Sequence, residues 1–150
     1  MSKPAEIVAT SLQSALVDLI DLALLGKQAH WNIYGPHFRS VHLQLDEVID
    51  QVRLASDDVA ERLVTVGGTP DGRASVVTET SQVDGLAGGR LAVDKVIRQF
   101  DERLQSASDR IKANLDDLEP VDPLSHDLLI AVASGLEKQA WMFRAATDEG

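Results

Sequence analysis

The sequence has 150 residues, with 24 acidic against 14 basic side chains, a formal net charge of −10 and no cysteine. The length predicts one domain over residues 1–150, and the missing cysteine excludes disulfides and thiolate chemistry. The sequence shows no signal segment and no apolar run of membrane-spanning length, which predicts a cytoplasmic protein without membrane contact. Because so acidic a surface repels phosphate backbones, and the sequence shows no basic tail or patch, DNA binding is not expected.

Two long helices are predicted in the first half of the sequence. The first covers residues 4–33, with a proline in its first turn and apolar side chains at every third or fourth position. The second covers residues 38–66, between a Gly35-Pro36 turn and the Gly67-Gly68 pair, and nothing between these signals breaks a helix. The short turn between the two helices predicts an antiparallel hairpin.

A long connection follows the second helix. Residues 67–89 are rich in Gly, Thr, Ser, Pro and Asp. A four-helix bundle with one such long crossover is ferritin-like. Residues 74–81 are a candidate short helix within the connection, although their local composition alone favours a loop.

Two further helices are predicted in the second half. The third begins at residue 89 or 90 and continues to 118, with an apolar seam close to a heptad repeat. The last begins with Asp122 as its cap and Pro123 at its first position, and it continues to about residue 146. Its apolar positions form a face that is expected to pack into the core.

Acidic side chains cluster around the start of the last helix. Their simplest interpretation is that they offset the positive end of the helix dipole, and the sequence alone favours this interpretation. His126 lies among them without an assignable role. The acids are Asp116, Asp117, Glu119, Asp122 and Asp127.

The second helix carries four metal-competent side chains on one stripe. At about 100° per residue, His42, Asp46, Asp57 and Glu61 fall within roughly 100° of one another. They form two i,i+4 pairs whose nearest members are separated by about 16 Å of rise, whereas metal–ligand bonds are only about 2.0–2.6 Å long. One chain therefore cannot close all four on one ion, but a second copy laid antiparallel across a two-fold axis completes two equivalent shared sites. His30 ends the preceding helix, where the turn could return it to the His42 end.

Each of these residues also has a simpler interpretation. A histidine on a helix is usually hydrogen-bonded, and carboxylates four residues apart are common on solvated faces. Asp50 and Arg53 share the stripe, and Arg53 is spaced to pair with Asp50 or Asp57 in the same helix. Asp50 has no assigned role, and His37, about 140° from His42, is not expected to bind the same metal. If a metal does bind, imidazoles and carboxylates without thiolate suit iron, manganese or zinc.

Several short motifs of this region occur together. They are the His30-Trp31-Asn32 run, the Gly35-Pro36-His37-Phe38 turn, the His42 and Asp46 pair, and the Asp57 and Glu61 pair before Gly67-Gly68. In type and spacing they resemble the signature of the Dps family of mini-ferritins, named as DNA-binding proteins from starved cells. The resemblance covers essentially the whole chain.

The resemblance implies an all-α, ferritin-like four-helix bundle with a short helix in its long connection, assembled as a hollow homo-oligomeric shell of twelve subunits. It also implies a ferroxidase centre at the two-fold interface, with His30, His42 and Asp46 from one chain and Asp57 and Glu61 from its neighbour. Such a protein binds iron as Fe(II), oxidises it, typically with hydrogen peroxide, and stores Fe(III) mineral inside. That activity protects against oxidative stress.

The resemblance suggests further roles and leaves alternatives. Trp31 becomes a candidate electron donor beside His30, with simple packing of its large ring as an equal interpretation. Asp122 and Asp127 become candidate residues of the three-fold pores through which iron passes. One alternative function is shielding of nucleoid DNA, for which the usual lysine-rich tail is not found in this sequence. The other is a metal-free assembly in which the stripe makes only interface salt bridges.

Overall fold

Helices make up most of residues 2–147, the part of the chain that the computed structural model describes. The helices are α1 (Lys3–Asn32), α2 (Phe38–Thr65), α3 (Ala74–Thr80), α4 (Val93–Lys112), α5 (Leu115–Leu118) and α6 (Pro123–Thr147). Two short strands, β1 (Ile33–Tyr34) and β2 (Leu91–Ala92), pair in parallel with Ile33 opposite Leu91. The architecture is the predicted all-α four-helix bundle, with α3 as the short helix of the long connection.

Two helix hairpins form the core. α1 packs along α2, and α4 packs along α6. A Cβ atom at Gly26 would lie only 2.7 Å from Cγ1 of Ile49, so this glycine lets α1 and α2 approach closely. In the other hairpin the buried rings of Phe100 and Phe143 lie 5.8 Å apart. The apolar seams predicted for two of the helices are buried, at Val8, Leu12, Leu16, Leu19 and Ala23 of α1 and at Val93, Ile97, Phe100, Leu104, Ala107 and Ile111 of α4.

The third long helix is shorter than predicted. α4 begins at Val93 because Ala92 is extended, with φ −66° and ψ 135°, in the bridge to β1. It ends at Lys112, where the N–H of Asn114 donates to the carbonyl of Ile111 at 3.1 Å and tightens the backbone. The next turn, α5, is separate. The continuous helix predicted up to residue 118 is therefore wrong at both ends. The loop that composition alone favoured for residues 74–81 is also wrong, because α3 forms there.

The turn between α1 and α2 has an unusual backbone. Gly35 has a φ of 117°, which residues with side chains rarely adopt, and His37 precedes α2 in the left-handed region at a φ of 66°. The guanidinium of Arg90 lies 4.2 Å from the centroid of the Tyr34 ring, next to the β1–β2 pair. The far end of the long connection is thereby attached to this turn.

Two acids of α1 anchor the middle of the connection. Asp18 is 5% exposed and accepts hydrogen bonds from Nε of Arg110 at 2.8 Å and from the backbone N–H of Gln82 at 2.9 Å. Asp21 accepts from Oγ of Ser81 at 2.7 Å. Because Ser81 and Gln82 directly follow α3, these bonds hold the connection against the bundle.

The apolar character of α1 corrects one prediction. By length and composition alone α1 could cross a membrane, and 56% of its most apolar window is buried inside the bundle. The prediction that no segment approaches membrane-spanning length is therefore wrong for α1, although Asp18 and Asp21 interrupt its apolar residues. A buried core helix of a soluble protein meets the same length and composition criteria.

Asp18→Asn is expected to lower the free energy of unfolding by about 2 kcal/mol, because Arg110 loses its charged partner in a largely buried setting. Urea unfolding at one fixed protein concentration measures the effect. Asp94→Asn is the matched control, since Asp94 forms an exposed pair with Arg98 at 3.6 Å and its loss should cost no more than about 0.5 kcal/mol. Equal effects of the two substitutions would contradict the anchoring role of Asp18.

Candidate metal centre

Two histidines from different helices meet at the α1–α2 turn. His30 lies in the last turn of α1 and is buried, and His42 lies in the second turn of α2 and is half-buried. Their imidazole rings stack with centroids 3.5 Å apart and planes 15° from parallel. The structure thus brings His30 to the His42 end of the stripe, as the sequence predicted.

The hydrogen bonds of this histidine pair are reciprocal. Nδ1 of His30 lies 2.8 Å from the carbonyl oxygen of His42, and Nδ1 of His42 lies 2.8 Å from the carbonyl oxygen of His30. A carbonyl can only accept, so each Nδ1 must carry the proton and donate it. In the neutral rings the lone pair is then on Nε2, which is the form that binds a metal ion.

The Asp46 carboxylate lies one helical turn beyond His42. Its Oδ1 is 3.4 Å from Nδ1 of His30 and 2.7 Å from Nζ of Lys27. The hydrogen bond from the Lys27 ammonium holds the pKa of Asp46 below its usual value, so the carboxylate is charged at neutral pH. Sequence reasoning missed Lys27, although its position one turn before His30 on α1 places the two side chains on the same face.

The other two predicted ligands lie at the far end of α2. Asp57 and Glu61 are exposed, and α2 is one unbroken helix, so about 16 Å of rise separates Asp57 from Asp46. Within residues 2–147 no three His, Asp or Glu side chains of one chain gather closely enough to hold a metal ion. A single chain therefore presents the predicted ligands as two separate groups.

Two aromatic side chains flank the histidine pair. The ring of Phe38 stacks on His42, with centroids 5.0 Å apart and planes 27° from parallel. His42 is thus covered by His30 on one side and by Phe38 on the other, which restricts rotation of its ring. Trp31 is 70% exposed, so within one chain it does not have the packing role that was one of its two interpretations.

The central residues of the stripe are not paired within the chain. Arg53 and Asp50 are both exposed, and among the described residues neither forms an ion pair. The interpretation that Arg53 pairs with Asp50 or Asp57 of its own helix is therefore wrong for the single chain. The backbone carbonyl of Arg53 accepts a hydrogen bond from Oγ of Ser56 at 2.8 Å.

The carboxylate of Asp122, at the start of α6, is hydrogen-bonded to other residues of the same chain. NH2 of Arg62 donates to both carboxylate oxygens at 2.9 Å, and the Ser125 hydroxyl donates to the same carboxylate. The carbonyl of Asp122 accepts from the backbone N–H of His126 at 3.0 Å, as the predicted cap residue of α6 should. Burial raises the pKa of Asp122, but the bonds from Ser125 and Arg62 outweigh burial and leave it below the usual value. Asp127 is exposed, and His126 is half-buried.

Asp122→Asn is expected to lower the free energy of unfolding at neutral pH, with the difference from the parent disappearing in acid. A carboxylate whose pKa is depressed by folding stabilises the protein above its unfolded pKa, here 3.8, and this contribution is lost as the pH falls through the folded pKa. Unfolding measured in a pH series from 7 to below 3.8 tests the sign, because the difference should shrink as the pH falls. Asp127→Asn, on the exposed side of the same helix start, should follow the parent at both pH values. A difference for Asp122→Asn that persists in acid would contradict the assignment.

The comparisons with known proteins agree with this fold. Residues 9–150 match the sequence profile of the ferritin-like domain. The chain is 36% identical over 143 residues to the DNA protection during starvation protein of Mycolicibacterium smegmatis, covering 95% of this chain and 78% of the relative. It is also 37% identical over 144 residues to the fine tangled pili major subunit of Haemophilus ducreyi, covering 96% of this chain and 76% of the relative.

Among solved structures, the crystal structure of Dps92 from Deinococcus radiodurans superimposes with a TM-score of 0.97 at 33% identity, covering 99% of this chain and 90% of that one. The four-helix bundle with its α3 crossover, together with the profile match, defines a ferritin-like protein. Within that class, the chain belongs to the Dps family of mini-ferritins.

Proposed function

We propose that the protein is a ferroxidase that binds Fe(II), oxidises it and stores the Fe(III) product inside a homo-oligomeric shell. The observation that carries this proposal is the reciprocal bonding of His30 and His42. It leaves both Nε2 atoms in the metal-binding form, one helical turn from the charged Asp46. Fixed imidazoles beside a carboxylate form half of a ligand set suited to iron.

The second half of the ligand set comes from another subunit in this proposal. An antiparallel copy of α2 places the partner's Asp57 opposite Asp46 and the partner's Glu61 opposite His42. Each two-fold interface then holds two equivalent sites, and each site has three carboxylates to attract a cation. Likeness to Dps structures supports a shell, and we propose twelve subunits.

The reaction follows from the charges of these ligands. Two Fe(II) ions each give one electron to hydrogen peroxide, whose O–O bond breaks and which takes up two protons to form two water molecules. The carboxylates stabilise the extra positive charge on the product ion, and the two imidazoles fix its position. Iron is the substrate here, and the protein supplies orientation and negative charge.

Other residues have accessory roles in the proposal. Trp31 is exposed next to His30, where its indole can donate an electron to a reactive oxygen species and so spare other oxidisable groups. Asp127, exposed at the start of α6, is the better of the two candidate pore residues, because Asp122 is held by Arg62. A reaction that removes Fe(II) and peroxide together protects against oxidative stress, and we place it in the cytoplasm.

Complementation between two inactive variants tests the shared site. Asp57→Ala with Glu61→Ala, and separately His42→Ala with Asp46→Ala, should each assemble but slow iron oxidation at least about tenfold. In mixed shells, an interface between the two variants has one site with both halves intact. Iron oxidation should therefore return in co-assembled protein. It is measured as the rise in ferric absorbance after Fe(II) and peroxide are added.

Asp58→Ala provides the control, because it removes an exposed acid next to Asp57 but off the stripe, and it should oxidise iron at the parental rate. Mixing is verified by mass spectrometry of the intact shells. If verified mixed shells stay as inactive as the two parents, the site is not divided between subunits in this way.

The relative from M. smegmatis is named for DNA protection. We propose that this chain protects DNA by consuming Fe(II) and peroxide and does not bind DNA. Its formal charge is −10, and many of its cations already pair with acids in the chain. The cations in such pairs include Lys27, Arg62, Arg73, Arg98, Arg110, Lys112 and Arg144.

A gel-shift assay at near-physiological salt and neutral pH should show no retardation of duplex DNA, even with excess protein. A chelator is needed, because divalent ions can bridge carboxylates to phosphates and imitate affinity. A complex that persists with chelator and dissolves steeply as salt rises would reveal a basic patch on the assembled surface and would overturn this prediction.

A further inference from the structure

Arg53 is the cation at the centre of an acidic stripe. Four acids of α2 share that stripe with it, and they are Asp46, Asp50, Asp57 and Glu61. Both Arg53 and Asp50 are exposed, and the described part of the chain offers neither of them an ion pair. These two opposite charges lie near the midpoint between the two ligand groups. The metal site alone does not account for their position there.

The register of the proposed two-fold interface supplies that explanation. When α2 lies antiparallel to its copy, Asp46 faces the partner's Asp57. Moving four residues from Asp46 towards the middle of the helix reaches Asp50, and moving four residues the opposite way from Asp57 reaches Arg53. Asp50 therefore lies opposite the partner's Arg53 at the same height along the axis. By symmetry the same pair occurs again on the other side of the two-fold axis.

We propose that Asp50 pairs with the partner's Arg53, and Arg53 with the partner's Asp50, and that these two ion pairs set the register in which the metal half-sites meet. This inference rests on the proposed function, because it uses the same antiparallel pairing. Such charge pairs determine alignment and partner choice more than overall affinity.

A shift of the helices by one turn shows why the pairs select a register. In one direction, the shift places Asp50 opposite the partner's Asp57, and Asp46 opposite the partner's Glu61. Like charges then face each other along the interface, which is unfavourable. In the other direction, the partner's Arg53 moves to Asp46, and Asp50 loses its partner. The pairing of Asp50 with Arg53 is satisfied only in the register that also completes both metal sites.

A charge exchange tests the proposal in iron-free protein. Asp50→Arg places two arginines opposite each other, and Arg53→Asp places two aspartates opposite each other. Each single variant should raise the dissociation constant between subunits at least about tenfold, as measured by sedimentation and native mass spectrometry over a concentration series. The double variant Asp50→Arg/Arg53→Asp restores opposite charges across the interface, so it should recover most of the parental assembly.

The control is the same exchange on α4, where Asp94 and Arg98 form an exposed pair within one chain. Asp94→Arg and Arg98→Asp make identical changes in net charge and should leave the assembly unchanged, singly and together. Circular dichroism verifies that every variant keeps its helices, which is expected because Asp50 and Arg53 are exposed. Asp50→Asn and Arg53→Gln should weaken assembly in the same direction by a smaller factor.

The possible results separate this inference from the proposed function. Parental assembly by both single variants, or no recovery in the double variant, would overturn the ion pairs even if the parent oxidises iron. Recovery of assembly in the double variant supports the register, whether or not iron oxidation is seen. Iron oxidation by the parent is measured separately, and its absence would count against the ferroxidase proposal alone.

Discussion

The straightness of α2 governs how this protein can hold a metal ion. An unbroken helix fixes the separation of its side chains along the axis, so the two ligand groups of α2 stay about 16 Å apart at their nearest members in any one chain. No rotamer change closes that gap. In the proposed function the fold presents two half-sites per chain, and a second copy in the opposite direction completes them. Metal binding in the proposed function therefore requires oligomerisation.

The turn before α2 provides the other half of the arrangement. The positive φ of Gly35 and of His37 reverses the chain within a few residues, so that the last turn of α1 faces the first turns of α2. That reversal lets His30 and His42 exchange hydrogen bonds through backbone carbonyls, which are fixed in place by the helices themselves. The proton positions on the two rings are thus consequences of the fold, and Arg90 over the Tyr34 ring attaches the far end of the long connection to the same turn.

Much of this architecture could be predicted from the sequence, because local signals specify helices. The spacing of apolar residues predicted the four long helices, and the stripe on α2 predicted that its ligands form two groups. Contacts between distant residues could not be predicted in the same way. The bonds of Lys27 to Asp46 and of Arg62 to Asp122 join different helices, so the spacing of residues within one helix could not predict them. The start of α4 was misjudged because a bridge to β1 holds Ala92 in an extended conformation, against its own preference for a helix.

In the proposed function, each metal ion is bound by residues of two chains. Anomalous diffraction at the iron edge, from crystals of the assembled protein soaked with Fe(II) without oxygen, tests it directly. If the sites are shared, each two-fold interface should show two iron peaks, roughly 22 Å apart along α2, each within about 2.0–2.6 Å of ligand atoms. Each peak should contact His30, His42 and Asp46 of one subunit and the partner's Asp57 and the partner's Glu61. Iron held by residues of a single chain, or no iron at this interface, would contradict it.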